Sequence, residues 1–187
     1  GEWFAFNHWN VTPDIVTMAK GLSSGYAPLG AIAMKKEIAA SFNDKVYQGG
    51  LTYNGHAVSL AAAFAVINVM KEDRLVEQAK EKGKILAKLL QEMYEKHPSV
   101  GEFRSIGLFG VLELVKNRET KEPMSPFNQN NAIMMQFRQQ CLDNGLYLHI
   151  HWHKVLIIPP LIITEEQIKT GFDIIDKALE ITDAYVE

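Results

Sequence analysis

The sequence lacks most of the features that would assign it to an unusual class. A single cysteine, Cys141, in 187 residues excludes an internal disulfide framework and any metal centre built mainly from thiolates, and it fits a reducing compartment, so the cytoplasm is the expected location. Neither sign of charge dominates. With 19 Lys and Arg against 22 Asp and Glu, a net charge of -3 and a pI near 6.1, the chain has no general attraction for nucleic acid or an anionic membrane. The longest apolar run, AVSLAAAFAVINVM from Ala57, is shorter than a bilayer span and is interrupted by Ser59 and Asn68, so it predicts a buried helix rather than a membrane helix. There is no signal-peptide pattern, internal repeat or low-complexity tract. What remains is ordinary globular material, 47% hydrophobic and 22% charged, enough for one domain or somewhat more. The opening GEWFAFNHW is already aromatic, without an initiator methionine or a polar lead-in, and gives the expectation that the sequence starts inside a longer polypeptide.

Along the chain, PDIVTMA and LGAIAM predict two short strands, read as buried sheet, on either side of a glycine-rich turn. From His56 to Met70 the small residues favour a closely packed helix. Leu75, Ala79, Leu86, Leu89, Leu90 and Met93 recur at helical spacing among Glu and Lys, the pattern of a long amphipathic helix that Pro98 and Gly101 then stop. FRSIGLFGVLELV predicts a strand pair near 103–115. A polar loop with prolines and asparagines follows, then a helix with Ile133, Met134, Phe137 and Cys141 on one face, ended at Asn144 and Gly145. LYLHIHWHKVLIIPP predicts a second strand pair near 146–158. The last helix opens with a capping box, Thr164 with Gln167, and buries Ile168, Phe172, Ile175 and Leu179. After residue 70 the order is helix, two strands, helix, two strands, helix, a small α+β domain with helices packed on one sheet face.

Two stretches carry chemistry. In TPDIVTMAKGLSSGYAPLGA, Lys20 follows an apolar strand and precedes a turn with three glycines and two serines. A lysine there is most often merely solvated, but a partly desolvated amine loses pKa and becomes nucleophilic, and the glycines let backbone approach a bound group. The turn is not a phosphate-binding Walker loop, because no Gly-Lys-Ser/Thr closes it. In YQGGLTYNGHAVSLAAA, Thr52 sits in a second glycine-rich loop ahead of a helix, where free N–H groups and a hydroxyl suit a phosphate, although an ordinary ST-turn explains the pattern equally well.

In order and spacing these stretches resemble the class III aminotransferases, pyridoxal-phosphate enzymes of fold type I with an α/β large domain and a small α+β domain. The similarity covers essentially the whole chain. It rests on Pro13-Asp14-Ile15, Ala19-Lys20-Gly21-Leu22, Gly25, Pro28-Leu29-Gly30-Ala31 and Thr52-Tyr53 with Gly55-His56. The resemblance implies that Lys20 is the cofactor-bearing lysine. It also implies that Thr52 reaches the phosphate of the partner subunit's pyridoxal 5'-phosphate, making a homodimer the functional unit. Residues 1–70 then correspond to the end of the large cofactor domain and 71–187 to the small domain. Ala57 stands where the family usually has proline, and Leu51 also departs from the common pattern.

The family's aspartate for the pyridine nitrogen and its main phosphate loop have no counterpart here, and Asp14 belongs to the stretch before the lysine instead. Many relatives carry an arginine for the substrate carboxylate in the strand before the double proline. LHIHWHKV has none, leaving His149, His151 or His153 near that position, with His151 as the candidate and Lys154 beside it. Three alternate histidines would also fit a strand-borne metal site, but no Asp, Glu or Cys adjoins them and no metal is expected. The implied reaction is transfer of an amino group from an ω-amino donor, such as β-alanine, 4-aminobutyrate, taurine or a diamine, to pyruvate or 2-oxoglutarate. The alternative is a catalytically inactive truncated fragment or assembly module.

Overall fold

The computed structural model describes all 187 residues and divides into two compact units, Glu2–Val76 and Glu77–Glu187, with Gly1 grouped with the second.

In the first unit a 3-10 turn, Ala5–Trp9, precedes β1 (Ile15–Met18) and β2 (Ala31–Met34), which pair antiparallel from Ile15↔Met34 to Met18↔Ala31. A five-residue helix α1 (Lys36–Ala40) and the sixteen-residue α2 (Ala57–Glu72) follow. The strands were expected to be buried and are not. Neither contains a buried residue, because a two-stranded ribbon has two faces and no other strand of the chain joins it. Helix α2 corrects the same expectation. It buries only Ser59 and Ala63 and leaves Val58, Phe64 and Val69 at 50% exposure or more. A helix apolar on every side needs partners on every side, and the chain supplies them on one.

The second unit is built around α3 (Leu75–Lys96), whose first two residues close the preceding unit. β3 (Val100–Ile106) and β4 (Phe109–Asn117) form a hairpin, a two-residue strand β5 (Glu122–Pro123) adds to β4, and α4 (Ala132–Asp143) follows. β6 (His149–His151), β7 (Lys154–Ile157) and α5 (Glu165–Asp183) complete it. The sheet is antiparallel in the order β3-β4-β7-β6. The hairpin turn needs Gly107, whose φ of +56° opens a two-residue connection between the paired Ile106 and Phe109. Gly83 of α3 lies so close that an added Cβ would stand 2.5 Å from the Gly107 Cα.

Strand alternation sorts the sheet into two faces. Leu112, Leu114, Val155 and Ile157 join Leu86, Leu90, Phe137, Phe172, Ile175 and Leu179 in one core cluster. Each such side chain is fully or almost fully buried, worth about 1.5–3 kcal/mol against exposure. Asn131 caps α4 by accepting the Met134 amide, and the Thr164–Gln167 capping box opens α5 as the sequence predicts. At the C-terminal end of α3, His97 is 2% exposed and its ring nitrogens lie 2.6 Å from Asp183 Oδ2 and 2.9 Å from Asp176 Oδ1, tying α3 to α5. Arg118 donates to the Tyr94, His97 and Val100 carbonyls, joining the end of α3 to the start of β3.

Candidate functional site

Lys20 stands two residues beyond β1, at the start of a one-turn 3-10 helix, Lys20–Leu22. Its φ is +51°, a left-handed conformation that costs a lysine roughly 1–2 kcal/mol and that tends to persist at functional turns. The turn is fixed by its own hydrogen bonds. The Ser23 amide donates to the Lys20 carbonyl, the Ser24 amide to Gly21, and the buried Ser23 hydroxyl to the Ala27 carbonyl at 2.5 Å. Ser24 and Gly25 also take positive φ, so the chain reverses sharply between β1 and β2.

The Lys20 side chain is exposed. No hydrogen bond or ion pair engages its ammonium. The desolvated pocket expected for it is not formed. A cavity of about 500 Å³ lies behind the turn, walled by Trp3, Phe4, Met18, Leu22, Ile67 and Met70, but Lys20 does not line it. Asp14 is already engaged, 2.5 Å from the Lys35 ammonium.

Thr52 is exposed in a turn where the Asn54 amide donates to the Leu51 carbonyl. Four residues on, His56 caps α2 by accepting the Ser59 amide on Nδ1 at 3.4 Å. The Leu60 amide bonds the His56 carbonyl, while the Ala57 and Val58 amides have no acceptor. The segment therefore offers an uncommitted Thr52 hydroxyl and, at the start of α2, two free N–H groups at the positive end of a helix dipole. No hydrogen bond joins Thr52 to Lys20. The chemistry of the donor set fits pyridoxal phosphate: a free primary amine for the aldehyde carbon, and a hydroxyl and open helix-start amides of the kind a phosphate takes.

The second unit carries the remaining candidates on the outer face of its sheet. Register places His151 opposite Lys154, Lys154 opposite Glu113, and Glu113 opposite Glu102, one cross-strand row. Arg104 bridges Glu102 and Glu113. Burial alone would raise the Glu113 carboxyl, but Arg104 outweighs it and holds the carboxyl below its ordinary range. Lys154 lies 3.9 Å from the same carboxylate, a loose pairing beside a better-matched guanidinium.

The three histidines do not share a strand face. β6 ends at His151, and the two-residue connection Trp152–His153 turns the chain, so that His153 is half-buried with Nε2 4.0 Å from Glu113. Burial lowers the His153 pKa, with Glu113 opposing. His149 and His151 lie together on the outer face, ring centroids 6.3 Å apart.

Sequence reasoning did not anticipate the aromatic contact beside His151. Trp152 takes a φ of +60°, an outlier for a bulky residue. Its indole stacks on the His151 imidazole at 3.9 Å and 27°, and Phe127 packs on the indole at 4.3 Å. The available signal was a tryptophan between two histidines where the two strands had to turn.

The two-stranded ribbon with its lysine turn, the helix behind a threonine loop and the five-stranded small domain together define a fold type I pyridoxal-phosphate transferase, and the comparisons narrow the class. Residues 1–179 match the family described as Aminotransferase class-III, and the chain belongs to that family. It is 36% identical to putrescine–pyruvate aminotransferase of Pseudomonas aeruginosa over the whole chain and 40% of that protein. It is 38% identical to taurine–pyruvate aminotransferase of Bilophila wadsworthia over 71% of the chain and 30% of that protein. A solved taurine:2-oxoglutarate aminotransferase from Bifidobacterium kashiwanohense, in complex with pyridoxal phosphate and glutamate, superposes with a TM-score of 0.90 at 41% identity, over 98% of this chain and 41% of its own. The chain thus spans about two fifths of the length of the relatives it matches. No helix is long and apolar enough to cross a membrane.

Proposed function

We propose that this chain is the lysine-bearing part of a pyridoxal-phosphate transaminase, acting with sequence that corresponds to the rest of its relatives' length. The reaction moves an amino group from an ω-amino donor, a diamine, taurine, β-alanine or 4-aminobutyrate, to pyruvate or 2-oxoglutarate. The observation that carries the reading is Lys20 itself: an unpaired amine on a left-handed residue, held by the serine–glycine turn inside a chain that matches the family over residues 1–179.

When bound, pyridoxal phosphate supplies an electron sink for the pair left behind as the donor's C–H bond breaks. Lys20 would hold the group through its Nζ, and that amine, once free, would be the general base that takes the proton from the donor carbon and relays it in the 1,3-proton shift. The Thr52 hydroxyl donates to the phosphate of the partner's cofactor in a homodimer. His151, with Lys154 beside it, meets the acceptor's carboxylate, because a buried carboxylate without a cation or donors is costly.

The test is a half-reaction. Holoenzyme treated with an ω-amino donor and no acceptor should release the donor's carbonyl product once per site, and Lys20→Ala should release none. Release by Lys20→Ala at the wild-type rate would remove the lysine from its role. A second reading, a non-catalytic module, draws on the exposure of Lys20 and on its standing outside the neighbouring cavity. The absence of product release from wild-type holoenzyme would favour it.

A further inference from the structure

We propose that Trp152 is a positioning residue for His151, its indole fixing the imidazole edge-on toward the acceptor's carboxylate. The inference rests on the reading of His151 as the carboxylate partner and adds the group that orients it.

The argument starts from the turn. β6 and β7 are joined through Trp152 and His153 alone, and only Trp152 of the two has positive φ. A two-residue connection with its first residue left-handed is ordinarily a glycine site, since Cβ makes that conformation strained. A backbone outlier of this kind points toward function when the side chain it carries has a task. The indole has one available. It lies over His151 at 3.9 Å with the planes only 27° apart, and the imidazole makes no hydrogen bond, so the stack is what holds the ring.

A stacked imidazole presents both nitrogens on its edge, where they can donate to a carboxylate. Phe127 supports the other member of the stack at 4.3 Å. Its own loop is closed by the Ser125 hydroxyl on the Gln129 carbonyl at 2.8 Å and the Asn131 amide on the Met124 carbonyl at 2.6 Å. The order of support runs from loop to Phe127, to Trp152, to His151.

The experiment compares Trp152→Gly, Trp152→Phe and His151→Gln in the holoenzyme, each with a keto-acid acceptor and with an aldehyde acceptor that has no carboxylate. Glycine relieves the left-handed strain while it removes the stack, so the two effects separate. Trp152→Gly should raise the keto-acid KM roughly fivefold to tenfold, the scale of a lost aromatic stacking contact. It should leave the aldehyde KM unchanged and hold or raise Tm. Trp152→Phe should restore most of the keto-acid affinity. In the 187-residue chain, the His151 ring-proton signals should move downfield in Trp152→Gly as the indole's ring current is lost.

A keto-acid KM unchanged in Trp152→Gly but raised in His151→Gln would overturn the inference and leave the reading of His151 standing. A fall in Tm with equal loss for both acceptors would reduce Trp152 to packing and also overturn it. An unchanged keto-acid KM in His151→Gln would remove both.

Discussion

The two units differ most in what they bury. Glu77–Glu187 holds an apolar cluster in which Leu86, Leu90, Leu112, Leu114, Phe137 and Leu179 are entirely inaccessible, whereas Glu2–Val76 has no large side chain in that state. Its buried residues are small or open helix α3: Ser23, Ser59, Ala63, Leu75 and Val76. Yet the first unit contains the lysine and the threonine loop, the parts proposed to carry the chemistry. The unit with the closed core supplies a scaffold and the His151–Lys154–Glu113–Glu102 row, while the unit carrying Lys20 has left-handed residues in its turn and an open apolar helix. This matches the general tendency of functional groups to occupy loops and strained turns placed by a rigid frame.

The largest expected break in this comparison comes from aromatic truncation. Phe137→Ala in the closed core should cost about 3–5 kcal/mol, while Phe64→Ala, at 69% exposure, should change stability by less than about 0.5 kcal/mol. Urea unfolding of both variants measures the contrast, and equal costs would erase it. Next comes Gly83→Val. Its Cβ meets Gly107 backbone, which has no side chain to move aside, so a loss of about 1–3 kcal/mol or more is expected by the same assay.

Thr164→Ala should cost about 1 kcal/mol by removing half of the capping box, and Thr164→Ser should recover it. The smallest effect is electrostatic. Partial burial would raise the Asp176 carboxyl, but Lys96 and His97 outweigh it and hold it below its ordinary range. A folded pKa below the unfolded one makes the contribution complete above about pH 4 and progressively lost as pH falls through the folded value. Thermal scans from pH 6 to pH 2 should show that loss, shallower in Asp176→Asn.

Much of the second unit was legible in the sequence because its signals are local. The heptad-like spacing from Leu75, the glycines of IGLFG and the Thr164–Gln167 pair each specify their element without help from distant residues. The first unit was legible in its elements and illegible in its burial. PDIVTMA and AVSLAAAFAVINVM are apolar in composition, and composition says what a segment could bury, not whether a partner is present to bury it. The lysine turn was readable as a glycine-rich reversal between two strands, but the positive φ values at Lys20 and Ser24 were not foreseeable. The row His151–Lys154–Glu113–Glu102 and the Trp152 stack depend on cross-strand register and on a loop twenty-odd residues upstream, which no one-dimensional spacing records.

The most direct test of the central claim is where pyridoxal phosphate attaches. The protein should be incubated with pyridoxal phosphate, reduced with borohydride, digested and mapped by mass, alongside Lys20→Ala and a set of other exposed lysines, Lys35, Lys36 and Lys45. A pyridoxyl adduct concentrated on the Lys20 peptide and absent from Lys20→Ala is the predicted result. Adduct spread evenly over the exposed lysines, with Lys20 no richer than Lys36, would contradict the claim that this turn was built to hold the cofactor.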